Sequence, residues 1–201
     1  SQFDNAVFGA IKYGKYQSFM WLLENNYEET IKDLQSDKSI FFKCAKGGNE
    51  KIFQYLLQNY SNYLSFTPDN KSNNNNEDTL LRVSTKYNHK EIVDLILSLP
   101  EYKINYDVVP LVNAIHNKNI EITKMLIEIS EINKSSKIKL FDIAVDSQDI
   151  DIILLISEKY KISLKGLIFK AVSSDSCDFV KQILDKNIVD INEKNEYGVE
   201  I

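Results

Sequence analysis

Two histidines, two cysteines and a run of aspartates are the side chains in this 201-residue chain that could carry out chemistry. Neither His89 nor His116 has a Cys, a second His or a carboxylate at ligand spacing, and H-E-x-x-H and C-x-x-C are both missing, so no metal site is expected. His89 falls in a turn, where a hydrogen bond to backbone accounts for it, and His116 belongs on the outward side of a helix. Asp142, Asp146, Asp149 and Asp151 would make a calcium loop only with alternating oxygen ligands, a glycine and a closing Glu. The segment SQDIDIIL lacks that frame and reads as a solvated acidic face. G-x-S-x-G, P-loop and G-x-G-x-x-G patterns do not occur, and Cys44 occupies a small, inward position rather than one beside a base. Neither catalysis nor a cofactor is expected.

The pattern that remains is a basic row. Lys12, Lys46 and Lys86 each stand two residues before a turn, where a first-helix side chain should face a concave groove. Lys43 and Arg82 neighbour this row, Tyr13 and Tyr87 adjoin it, and it continues through His116 to Asp146 and Ser173. Charge on an exposed face most often serves solubility. As a binding surface, the row suits a protein or peptide with acidic residues, held over the N-terminal half, with rim charges setting on-rate and orientation.

The elements that position these residues repeat. In residues 79–97, TLLRVSTKYNHKEIVDLIL, Thr79 is a candidate N-cap, and Leu81 and Ser84 share the inner face of a short helix. Tyr87-Asn88-His89 breaks the pattern, and Ile92, Val93, Leu95 and Ile96 then recur at helical spacing. The skeleton returns with turn markers at Gly14, Gly48, Asn88, Lys118, Gln148 and Asp175, which are 34, 40, 30, 30 and 27 residues apart. A large apolar residue opens each copy: Val7, Phe41, Leu81, Leu111, Phe141 and Ile168. A small one follows three later: Ala10, Cys44, Ser84, Ala114, Ala144 and Ala171. Two short helices cannot hide their apolar stripes alone, so periods in this range signal stacked units that share one continuous core.

Thr79-Leu80-Leu81-Arg82, Asn88-His89-Lys90-Glu91-Ile92-Val93 and Leu95-Ile96-Leu97 resemble the ankyrin repeat, with its T-P-L-H-x-A opening and G-H-x-E-I-V-x-L-L second helix. Val109-Pro110-Leu111 with Ala114 and Ile120-Glu121-Ile122 is a second good copy. The resemblance implies an all-α, ankyrin-like α-solenoid of stacked helix-turn-helix repeats with short finger turns. It spans one domain with repeats at about 1–25, 36–60, 78–99, 107–130, 137–160 and 164–187. Asp190-Ile191-Asn192 and Tyr197-Gly198 resemble the finger that opens a further repeat over 188–201. It also implies a non-catalytic protein-interaction scaffold that holds its partner on the concave face and fingers. The alternative is a regulatory or substrate-recruiting segment of a larger protein whose catalytic or channel domain lies elsewhere. No copy has the full T-P-L-H, and only Gly14 and Gly48 keep the turn glycine, so the repeats should be less regular than the family ideal.

Between the copies, residues 26–38 read as a loop with one extra turn of helix. Residues 61–77 read as a polar, Asn-rich insertion, an elongated mobile finger. A net charge of −5 argues against nucleic-acid binding, and no apolar run approaches membrane-spanning length. Cys44 and Cys177 lie four repeats apart, too far for a disulfide, which fits a reducing cytosolic or nuclear setting. The array is expected to work as a monomer.

Overall fold

Six tight turns reverse the chain between paired helices, and each is centred on one left-handed residue. These are the six spacing markers: φ is 62° at Gly14, 74° at Gly48, 61° at Asn88, 52° at Lys118, 56° at Gln148 and 53° at Asp175. The computed structural model describes residues 4–25, 27–37, 39–66, 79–102 and 107–188. Most of the Asn-rich insertion and the opening of a further repeat lie outside these residues, as do 103–106.

The turns close by a shared bonding pattern. In three of them the amide after the left-handed residue reaches back to the small residue of the first helix: Lys15 N–H to Ala10 C=O (2.7 Å), His89 to Ser84 (2.9 Å) and Asn119 to Ala114 (3.0 Å). The left-handed residue itself donates one turn back, as Lys118 does to Ile115 and Gln148 to Val145. Together these are the two bonds of a Schellman cap, which satisfies the last carbonyls of a helix. Asn49, Asn119, Asp149 and Ser176 then cap the second helix by accepting from the amide three residues on.

The chain divides into two compact units, residues 1–104 and 105–201. The first contains α1 (Asp4–Lys12), α2 (Tyr16–Asn25), α3 (Tyr27–Ser36), α4 (Ile40–Gly47), α5 (Glu50–Tyr60), α6 (Leu80–Lys86) and α7 (Lys90–Ser98). Helices α1, α4 and α6 pack side by side as a row of first helices, and α2, α5 and α7 as a row of second helices. The second unit contains α8 (Val109–His116), α9 (Ile120–Ile129), α10 (Lys134–Ser147), α11 (Ile150–Tyr160), α12 (Leu167–Ser173) and α13 (Cys177–Asp185). There α8 packs on α10, and α9, α11 and α13 follow one another. Among the described residues every regular element is helical.

The large and small positions of all six copies are buried, from Val7 and Ala10 to Ile168 and Ala171. Phe41 meets Phe53 edge-on with ring centres 5.5 Å apart, and Phe19 meets Tyr55 at 5.3 Å. Such pairs contribute about 0.5–1.5 kcal/mol beyond the area they bury. Cys44 lies in the same core, where burial drives its thiol pKa strongly upward.

Residues 27–36 correct the expectation of a loop: they form helix α3, which packs on α1 and α2. Its face is completed by Thr30, a polar residue that periodicity arguments discount. Thr30 is buried, its hydroxyl donates to the Leu22 carbonyl at 3.2 Å, and it lies one turn from fully buried Leu34. The first residues of the Asn-rich insertion also differ from a free finger. Residues 61–63 make a 3-10 turn, Phe66 C=O accepts from Leu80 N–H at 2.9 Å, and the Phe66 ring meets Tyr102 at 5.3 Å.

Candidate protein-binding surface

Helices α1, α4 and α6 carry five basic residues, Lys12, Lys43, Lys46, Arg82 and Lys86, against Asp4 as the one acidic residue. In a chain of net charge −5 this is a segregated patch. Lys12, Lys46 and Lys86 each lie in the last turn of their helix, and all three are exposed. A cation there is favoured by the partial negative charge of the helix C-terminus. Because the three helices pack side by side, the lysines recur at about the 8–10 Å spacing of helix neighbours.

Aromatic rings lie beneath this row. Lys12 Nζ is 5.4 Å from the Tyr13 ring centre, and Lys46 Nζ is 5.2 Å from that of Tyr87. Tyr87 stacks on His89 with centres 6.4 Å apart and planes 12° from parallel. His89 Nε2 lies 3.1 Å from the Lys46 carbonyl, an acceptor, so Nε2 carries the donated proton. The ring leaves no room for a side chain at Gly48, where a Cβ would fall 2.2 Å from it. His89 gives up the capping role of its equivalents: its side chain makes no cap bond to α7. It ties the third helix pair to the second and holds Tyr87 under Lys46.

The other residues singled out from sequence stand apart from this arrangement. Lys43 is half-buried: it makes an ion pair with Asp37, donates to Ser39 Oγ at 2.8 Å and lies 5.0 Å from the Phe8 ring centre. Its charge is matched within the chain. Burial alone would raise the Asp37 pKa, but hydrogen bonds from Lys43 and Ser39 outweigh it and hold the carboxyl below its usual value. The stabilisation this brings is present above the unfolded value and is lost as pH falls through the lower folded one. Arg82 is half-buried on α6. His116 ends α8 in the second unit, exposed.

The aspartate run is dispersed into separate roles. Asp142 pairs with Lys170 and Asp151 with Lys186, each at 2.7 Å, while Asp149 caps α11. Among the described residues no three His, Cys, Asp or Glu side chains gather as a metal site would require. No described helix is long and apolar enough to cross a membrane.

A family model built on three ankyrin repeats matches residues 7–109, just over half of the chain. This chain belongs to the ankyrin repeat family. The matched stretch contains the basic row, the stacked Tyr87–His89 pair and the close turns at Gly14 and Gly48. No curated protein matches the chain. Ankyrin repeats are in general protein–protein interaction modules, and the family is typically non-catalytic. Sequence periodicity located the lysines of this surface, but it could not show that His89 braces it. The signal for that was the pairing of a turn His with a turn Gly one repeat earlier.

Proposed function

We propose that this ankyrin array is a non-catalytic scaffold whose first-helix row in residues 1–104 holds an acidic segment of a partner protein. The observation that carries the reading is the recurrence of exposed Lys12, Lys46 and Lys86 at one register of three packed helices, whose sequences hold five basic residues and one acidic. A chain in the extended polyproline II conformation has three residues per turn and rises about 3.1 Å per residue, so carboxylates on every third residue share one face and would meet successive lysines about 9–10 Å apart. Tyr13 and Tyr87 offer apolar area beside Lys12 and Lys46, and one copy of the chain supplies every group. Matched internally by Asp37, Lys43 holds the α3–α4 corner, while Arg82 flanks the row. Two free cysteines, Cys44 and Cys177, support a reducing compartment, cytoplasmic or nuclear. Service as the recruiting segment of a larger protein would use the same row.

Titration with a labelled peptide carrying Glu at every third position tests this directly. Lys46→Glu with Lys86→Glu should weaken binding about tenfold or more at low salt, and the difference should shrink as salt rises. Unchanged affinity in that double variant removes the row from consideration.

A further inference from the structure

A second row runs beside the lysines. The residue directly after each lysine of the row is Tyr13 for α1, Gly47 for α4 and Tyr87 for α6. Tyr13 is 65% exposed and Tyr87 40%. In residues 105–201 the corresponding positions are Asn117, Ser147 and Ser174, which follow His116, Asp146 and Ser173. Exposed rings therefore occur where the row is basic and vanish where it is not. Tyr87 is ordered in advance, stacked on His89 with Lys46 Nζ 5.2 Å from its ring centre. Between the two rings Gly47 carries no side chain, and it lies so close to α1 that a Cβ would fall 2.1 Å from the Ile11 carbonyl oxygen.

The spacing of both rows selects a conformation for what lies on them. Packed helices stand about 8–10 Å apart, so the Tyr13 and Tyr87 positions are about 16–20 Å apart across α4. Six residues of polyproline II rise about 19 Å. That conformation is three-sided. When one edge meets a lysine at every third residue, an adjacent edge passes over Tyr13, Gly47 and Tyr87. A β-strand returns to the same side after about 6.6 Å or 13 Å, and neither distance matches the helix spacing. Proline holds its φ near the polyproline II value before binding, and its ring is apolar surface suited to an aromatic partner.

We propose that the acidic segment held by this row is also proline-rich, with prolines six residues apart resting on Tyr13 and Tyr87 while carboxylates at every third residue meet Lys12, Lys46 and Lys86. The inference rests on the lysine-row reading and adds to it the partner's backbone conformation and its second residue type. Charge and ring contact form together, because a carboxylate that draws Lys46 aside uncovers the Tyr87 ring for a proline. The bare backbone at Gly47 lets the bound chain pass from one ring to the other. Tyrosine gives up little side-chain freedom on binding, and a preformed backbone gives up less than a flexible one. The lysines then set rate and register, and the rings with the stiff backbone strengthen the complex.

Two labelled peptides of equal charge test this on the whole chain, one repeating Glu-Pro-Pro and the other Glu-Ala-Ala. The proline peptide should bind about tenfold more tightly. Rising salt should weaken both peptides yet leave their ratio in place, because ring contact and backbone stiffness are not screened. Tyr13→Ala and Tyr87→Ala, each at an exposed position, should each reduce that ratio by about threefold. Equal affinities that both fall with salt would overturn the proline-rich partner and leave the lysine row standing. A proline advantage that neither substitution reduces would show that stiffness acts without the rings, and would overturn their contact with proline. Tighter binding of the alanine peptide, with helicity gained in circular dichroism, would assign a helix to the row instead. Binding of neither peptide would remove the row itself and this inference with it.

Discussion

The two units tie one helix pair to the next by different means. In residues 1–104 backbone meets backbone. A Cβ on Gly47 would fall 2.1 Å from the Ile11 carbonyl oxygen, and one on Gly14 would fall 2.4 Å from that of Gly47. Asn49 Nδ2 donates to the Gly14 carbonyl at 3.1 Å, and His89 reaches Lys46 as described. In residues 105–201 the positions matching Gly47 are Asn117, Ser147 and Ser174, with Ser147 and Ser174 bonded back to their own helices. There the ties between pairs include ion pairs at the surface, Lys159–Glu128, Lys170–Asp142 and Lys186–Asp151. The lesson is one of range. Backbone contact is short, indifferent to salt and intolerant of one added methyl, whereas ion pairs tolerate substitution and are screened.

The largest expected effect asks whether the shared core slot bears equal weight in both units. Leu81→Ala and Leu111→Ala should each lower unfolding free energy by about 2–5 kcal/mol in urea denaturation. A loss below about 1 kcal/mol at either would break the equivalence. Gly47→Ala should cost about 1–3 kcal/mol, because the atoms it meets are backbone and cannot swing aside. Ser147→Ala at the matching position should stay within about 0.5 kcal/mol, and similar losses for the two would erase the contrast between the units.

Smaller effects sharpen it. Lys118→Gly and Gln148→Gly should each raise stability by about 0.5–1 kcal/mol, since a left-handed side chain costs more than glycine loses in chain entropy. The reverse change, Gly48→Ala, should destabilise, because the His89 ring fills the space. Lys170→Ala should cost only about 0.2–1 kcal/mol, and melts in high salt should abolish the difference. A Gly47→Ala deficit that also faded with salt would show that charge, not contact, governs the first unit.

The turns were legible because one residue per copy must adopt a left-handed conformation, which places a marker at fixed distance from the large and small residues. Asn88, Lys118, Gln148 and Asp175 hold that conformation without glycine, so spacing was a better guide than residue type. Helix α3 was not legible, because Thr30 supplies an inward position through a hydrogen bond to Leu22 rather than through hydrophobicity. The lysine row could be listed in order from sequence. That Lys43 is spent on Asp37 while Lys46 is left over Tyr87 depended on which groups neighbouring helices bring within reach.

What the sequence determined alone is local and periodic: where helices start, where each reverses, and which face of each is apolar. Such features depend on residues a few positions apart, and the chain carries them in order. What tertiary structure decided is the set of meetings across packed helices, His89 in the space left by Gly48 and Gly47 against Ile11. Those depend on backbone approaching to within a few ångströms between segments tens of residues apart. No local pattern records such a distance.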